Sequence, residues 1–387
     1  MTRHYFLGAA ANQKKAFSWL FSGGSRRDVE KLEKYLSERY SGEAILMKNG
    51  RSALATALKC YFKPGDKIIV NGFTCFAVIE AIFASGLKPV YADISTKDLN
   101  FDVKNLEDCL SRTKGIRGII IQNTFGNPVQ IKAVERFAKK NELILIEDLA
   151  HSAGVVYPDG REAGTVGAAT ILSFGKEKAI DTVSGGAVIL RDFETINGAR
   201  FKLPRNARKT WVQELRPTKG TRKSDSLRAR YYPLFGKIYR GLSYVRLNGI
   251  FMRFLLAVHF VEKSADNKLD LRRRPADFMA KRALKQIKKL ENSGVLREFY
   301  LVNNRDEVLE KLRKAGYYFD GFWYETPIAP KRYYDKAKFD KKNCPTAVLV
   351  AEKIINFPTY YSEKQMKRAR EILAEVGDFW NEKGGQK

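Results

Sequence analysis

Between residues 40 and 190 the chain repeats one pattern, a short apolar run followed by a stretch with helical spacing. The runs read "KIIV", "KPVYADI", "GIIIQNT", "LILIED", "TILSF" and "GGAVIL". Parallel strands need a crossover connection, usually a helix, so strands alternating with helices imply an α/β layer. The pattern predicts an α/β fold with a mostly parallel central sheet flanked by helices. Upstream, Ser25 precedes Val29, Leu32 and Leu36 at helical spacing, which predicts a surface helix over 25–40.

Ligands of such sheets bind beyond the carboxyl ends of the strands. Several runs end in polar residues there, among them Asp93, Asn123 and Asp148. The first half of the chain is therefore where a site is expected.

Three pieces of that half form a candidate constellation. In "KNGRSALATAL", Gly50 precedes a helix starting near Arg51, so unpaired amides, the helix dipole and the Ser52 hydroxyl suit a phosphate. The same junction also reads as a plain helix cap. In "LILIEDLAHSAG" a strand delivers Glu147 and Asp148 at its end, and His151 follows. Such a carboxylate caps the next helix or, with the histidine, holds a protonated ring nitrogen. In "ILSFGKEKAIDTVSGGAVIL", Ser173 lies near a strand end, with Lys176 and Lys178 after it. A surface lysine is ordinarily solvated, but a lysine just past a strand end becomes a nucleophilic amine where its surroundings lower its pKa.

The order of these pieces resembles the DegT/DnrJ/StrS family of sugar aminotransferases, pyridoxal-phosphate (PLP) enzymes of transferase fold type I. The resemblance runs through "NGRSAL", "KPGDKIIVNGFTCFAV", "TFGNPV", "IEDLAHSAG" and "SFGKEKAIDTVSGG", and returns in "CPTAVLVAEKIINFPTYYSEKQ", with a gap over 195–274. In that family Ser-Phe-x-x-x-Lys carries the Schiff-base lysine. Counting from Ser173 selects Lys178 over Lys176. The resemblance further implies that Asp148 pairs with the pyridine nitrogen and that His151 lies near the ring. Gly50, Arg51, Ser52 and Ser173 are then the phosphate cradle. Arg51 stands where the family usually has Thr or Ser. Cys75 stands where it usually has a ring over the cofactor, and Phe76 comes next. Relatives that dehydrate sugars have His at the lysine position, so Lys178 implies amino transfer. Glutamate as donor, a keto-sugar linked to a nucleotide or lipid as acceptor, and a homodimer are also implied. The alternative is a non-catalytic binding or regulatory protein that keeps the fold.

At 387 residues, the length exceeds what one simple core needs, and the expected organisation has three parts. These are a large domain over 1–200, a basic, aromatic-rich insert over 201–274 and a small α+β domain over 275–387. Four scattered cysteines (Cys60, Cys75, Cys109, Cys344) and three histidines (His4, His151, His259) suggest neither a disulfide framework nor a zinc site. The beginning of the chain lacks a signal-peptide core, and no apolar stretch is long enough to span a bilayer, so a cytoplasmic protein is expected.

The net charge is +27. Residues 200–274 hold 20 Lys and Arg against 5 Asp and Glu, so over half of that excess is concentrated there. Within it, 231–261 combine aromatic and aliphatic residues with Lys237, Arg240, Arg246 and Arg253, and with no acidic residue. An apolar face bordered by basic residues suits an anionic membrane surface, and equally a hairpin buried between subunits. Nucleic acid is a third and weaker option, because no nucleic-acid motif accompanies the charge.

Overall fold

The computed structural model describes residues 4–5, 25–175, 178–182, 185–191, 277–290, 295–318, 324–359 and 361–381. The basic segment, 231–261 included, lies outside the described residues, as does Lys176.

The first half runs β1 (His4–Tyr5), α1 (Arg26–Tyr40), β2 (Glu43–Met47), α2 (Gly50–Tyr61), β3 (Lys67–Asn71), β4 (Thr74–Cys75) and α3 (Phe76–Ala84). It continues with β5 (Lys88–Ala92), α4 (Val103–Arg112), β6 (Ile116–Ile121), α5 (Ile131–Lys140), β7 (Ile144–Asp148), β8 (Ala169–Ser173) and β9 (Gly186–Leu190). The expected N-terminal helix is present as α1, where Asp28 accepts the Ser25 N–H at 3.0 Å.

Seven strands form one sheet in the order β2–β9–β8–β7–β6–β3–β5. All neighbours from β8 to β5 pair in parallel, and only β9 runs antiparallel, to both β2 and β8. The reversal follows from the connection. The connection from β8 to β9 spans only 174–185, its described residues form no helix, and Lys178 lies among them.

Residues along these strands alternate between two apolar cores. Val70, Ile120, Ile146, Ile171 and Val188 pack with α2 and α3 on one face. Ile69, Ile119, Leu145, Leu172 and Ile189 pack with α1 and α5 on the other. Both faces are dry because helices cover both, which is why the strands read as continuous apolar runs.

The second half adds α6 (Asp277–Ile287), β10 (Arg297–Leu301), α7 (Arg305–Lys314), β11 (Tyr317–Tyr318), β12 (Ile328–Ala329), α8 (Pro345–Lys353), β13 (Ile354–Pro358) and α9 (Glu363–Val376). Antiparallel β10 and β13 support a smaller core in which Val308, Leu312, Phe357, Ile372 and Leu373 meet. The helix at the head of the expected 275–387 unit behaves differently. Ala280, Ala283 and Ile287 of α6 join the core of α1 instead.

Two contacts fasten the second half to the strand ends. Asp93, just past β5, accepts the first-turn amides of α8 from Thr346 at 3.0 Å and Ala347 at 2.9 Å. Strand β12 pairs with β4, Ala329 beside Cys75. Among the described residues no helix is long and apolar enough to cross a membrane.

Candidate active site

The site lies where β7 and β8 end and β9 begins, beside the start of α2. Asn49 caps α2 by accepting the Ser52 N–H through Oδ1 at 2.8 Å. The helix itself gives the amides of Gly50 and Arg51 no acceptor. Two glycines let this helix start approach the sheet. A Cβ on Gly50 would lie 2.8 Å from Ser173 Cβ, and one on Gly186 would lie 2.7 Å from Gly50 N and from Asn49 C. Of the paired glycines, Gly186 is thus a close-approach residue, and Gly185 takes φ +117°, a region that L side chains rarely adopt. Gly50 and Ser173 meet here, and Ser52 lies in the first turn of the same helix.

The Arg51 side chain goes elsewhere. Its Nη1 pairs with Glu80 of α3 at 2.6 Å, so the guanidinium belongs to that ion pair and only the backbone stays at the helix start. Phe76 also turns away. Its ring stacks on Tyr333 with centroids 4.9 Å apart. Cys75 caps α3, its Sγ accepting the Ala77 N–H at 3.5 Å, and its thiol faces Tyr324 electrostatically.

The pleat of β7 separates its two terminal carboxylates. Glu147 is fully buried on one side and accepts Tyr157 Oη at 2.8 Å and the Gly164, Val166 and Gly167 amides at 2.7, 2.8 and 2.6 Å. Four donors make it the anchor of the 150–168 connection. Asp148 points to the other side, where Oδ1 accepts the Ala150 N–H at 3.0 Å. Burial pushes its carboxyl above the ordinary value, against the pull of that amide and of the Lys178 charge.

His151 is buried beside it, with Nδ1 accepting the Phe125 N–H at 3.4 Å. Burial first, then the charges of Lys178 and Arg297, hold its pKa well below the ordinary range. The ring is neutral at physiological pH, and the accepted bond at Nδ1 assigns the proton to Nε2.

Lys178 lies in the loop between β8 and β9. Thr182 closes that loop by donating its N–H to the Phe174 carbonyl at 3.1 Å, and buried Ile180 pins it to the core. The ammonium charge acts on both Asp148 and His151. The lysine therefore lies within electrostatic reach of both the carboxylate and the imidazole.

Two residues of the second half enter this site without any signal in the sequence. Tyr324 is buried against Phe73, Phe125 and His151, with ring centroids 4.5, 5.5 and 6.4 Å away. Burial raises its phenol well above the ordinary value. Arg297, only 1% exposed, donates through Nη1 to Asn356 Oδ1 at 3.1 Å, and its charge acts on His151 and Tyr324. No local spacing links either residue to Asp148, and both arrive through the packing of β10 and the 324–329 stretch.

A profile of the DegT/DnrJ/EryC1/StrS aminotransferase family matches residues 9–214. The dTDP-4-amino-4,6-dideoxy-D-glucose transaminase of Shigella dysenteriae is 34% identical over 166 residues, which cover 43% of this chain and 44% of that one. The chain spans about half the length of the curated relatives it matches. Among solved structures, a DegT DnrJ EryC1 StrS aminotransferase from Brucella abortus superposes with TM-score 0.66 at 18% identity, covering 96% of this chain and 98% of that one. A GDP-4-keto-6-deoxymannose-3-dehydratase with a trapped PLP-glutamate geminal diamine gives TM-score 0.64 at 16% identity, covering 96% and 100%. At these identities the structural likeness carries the fold.

Proposed function

Since the chain belongs to the DegT/DnrJ/EryC1/StrS aminotransferase family, we propose that it is a PLP-dependent aminotransferase that passes an amino group from glutamate to a keto-sugar. The observation that carries this reading is that the Lys178 charge acts on both buried Asp148 and buried His151, while Ser173 at the end of the neighbouring strand meets the helix start at Gly50.

The donor set fits the cofactor. Ser52, Ser173 and the amides of Gly50 and Arg51 are suited to its phosphate, and Asp148 to its ring nitrogen. A buried carboxylate raised by desolvation is relieved by a cationic N–H, and a protonated pyridine nitrogen supplies one. Bound there, PLP provides the electron sink that makes an amino acid's α-proton removable. Lys178 Nζ is the group that takes up that proton and returns it. Neutral His151 adds no positive charge beside the ring.

Glutamate as donor is supported by the dehydratase relative that holds it trapped with PLP. A keto-sugar acceptor is supported by the transaminase relative, which is named for an amino-sugar nucleotide. We further read the protein as a cytoplasmic homodimer, with the basic 231–261 stretch as its contact to anionic membrane.

Purified protein incubated with PLP is expected to show a visible absorbance band that Lys178→Ala abolishes. Glutamate is expected to bleach the band, and a keto-sugar nucleotide to restore it. A colourless protein that ignores PLP overturns the reading, and PLP binding without response to any amino donor leaves a non-catalytic binding protein. For the membrane contact, co-sedimentation with anionic vesicles should weaken as salt shortens the Debye length well below about 10 Å. Arg246→Glu with Arg253→Glu should weaken it too, with PLP still bound. Indifference to anionic vesicles at low salt assigns 231–261 to another role.

A further inference from the structure

The loop that carries Lys178 is held from outside by a residue far away in sequence. Helix α6 docks on α1 through Ala280, Ala283 and Ile287. Its end is fixed by Arg39 of α1, which donates to the carbonyls of Ile287 at 2.8 Å and Leu290 at 2.7 Å and pairs with Glu162 at 2.7 Å. One residue before that end, the Gln286 side chain reaches the lysine loop. Its Oε1 accepts the Asp181 N–H at 2.8 Å, and its Nε2 donates to the Asp181 carbonyl at 2.9 Å. A primary amide that bonds both backbone polar groups of one residue acts as a neighbouring strand would.

The rest of the loop explains why this clamp matters. Thr182 ties the loop base to Phe174, the Lys178 N–H reaches the Gly175 carbonyl at a long 3.3 Å, and Ile180 is buried. These contacts set the ends and one apolar anchor. Gln286 bonds the peptide N–H and carbonyl on either side of Asp181, adding a hold from α6 to the one Thr182 makes with Phe174, and Lys178 lies three residues before Asp181. We infer that Gln286 is a positioning residue that registers the Lys178 loop against α6, so that delivery of Nζ toward Asp148 and His151 depends on the docking of α6 on α1. This rests on the reading of Lys178 as the amine that bonds PLP.

Gln286→Met keeps length and apolar bulk and removes both hydrogen bonds, whereas Gln286→Ala removes the side chain entirely. In cofactor-free protein, amide hydrogen exchange over 178–182 is expected to speed up about tenfold in both variants, with α1 and α6 unchanged. Borohydride trapping of PLP on Lys178, located by peptide mass, is expected to slow to a similar extent in both. The pH midpoint of the bound cofactor's visible band, which reports the surroundings of Lys178 Nζ, is expected to move. If Met behaves as wild type and only Ala differs, Gln286 is packing and the inference fails. Wild-type exchange and trapping in both variants overturns it as well. Wild-type protein that traps no PLP overturns the proposed function instead, and the exchange measurement, made without cofactor, still decides whether the clamp exists.

Discussion

Phe125 donates its backbone N–H to His151 Nδ1 at 3.4 Å and, through its carbonyl, accepts the Leu296 N–H at 2.6 Å. One residue thus joins the imidazole of the site to the residue just before β10. Phe125 takes φ +58° and Asn123 φ +47°, conformations uncommon for residues other than glycine. They are sustained by a surrounding network. The Asn123 side chain accepts the Val129 N–H at 3.0 Å and donates to Tyr157 Oη at 3.2 Å, while Asn100 Oδ1 accepts the Thr124 N–H at 2.9 Å.

That arrangement makes His151 a source of acid sensitivity. Folded His151 holds a proton more weakly than the unfolded chain, whose imidazole titrates near 6.5. Below that pH the unfolded state binds the extra proton, so stability is lost as pH falls toward the folded value. Asp148 has the opposite sign. Its folded value is raised above 3.8, so its cost appears as pH rises through that range. The melting temperature of cofactor-free protein is expected to drop between pH 7 and pH 5, and His151→Gln to flatten that slope. An unchanged slope in the variant removes His151 as the cause.

Asp148→Asn separates catalysis from folding. The amide can still accept the Ala150 N–H, and it removes a buried charge, so the variant should melt no lower than wild type. Turnover should fall by about 10² to 10³, the usual loss when one preorganised electrostatic partner is removed. Steady-state rates and thermal melts on the same preparation check both arms. Normal turnover would leave Asp148 as a cap for the turn at Ala150.

Gly186→Ala tests the close approach of α2 to the sheet. The added Cβ meets backbone atoms at 2.7 Å, which cannot swing aside as a flexible side chain can. Overpacking of this kind costs about 1–3 kcal/mol, and here it should also loosen phosphate binding at Gly50. Gly175→Ala is the control, since among the described residues its Cβ meets only Ser173 Oγ at 3.6 Å. Denaturant melts and PLP titrations should distinguish the two substitutions.

Arg51→Ala should be mild. The side chain is 41% exposed and paired with Glu80, and such pairs contribute about 0–1 kcal/mol. PLP affinity is expected to change less than threefold, since the cradle uses the Arg51 amide. A tenfold loss of affinity would show that the guanidinium leaves Glu80 for the phosphate.

The sequence by itself determined the sheet and the position of the lysine loop. Apolar runs such as "LILIED" are set by near neighbours, because helices on both faces require both strand faces to be apolar, and a period of two is written in consecutive residues. The spacing from Ser173 to Lys178 is likewise local. Two decisions were left to tertiary packing. The first was where side chains at helix starts turn. Arg51 and Phe76 sit beside the site in sequence, yet Glu80 and Tyr333 draw them away, since an opposite charge at 2.6 Å and a ring at 4.9 Å outweigh proximity along the chain. The second was which distant residues arrive. Tyr324, Arg297 and Gln286 reach the strand ends only because β10, the 324–329 stretch and α6 dock there. Burial of an apolar helix face or strand specifies a surface to cover and leaves the polar groups it carries along unspecified, so no spacing in the chain announces them.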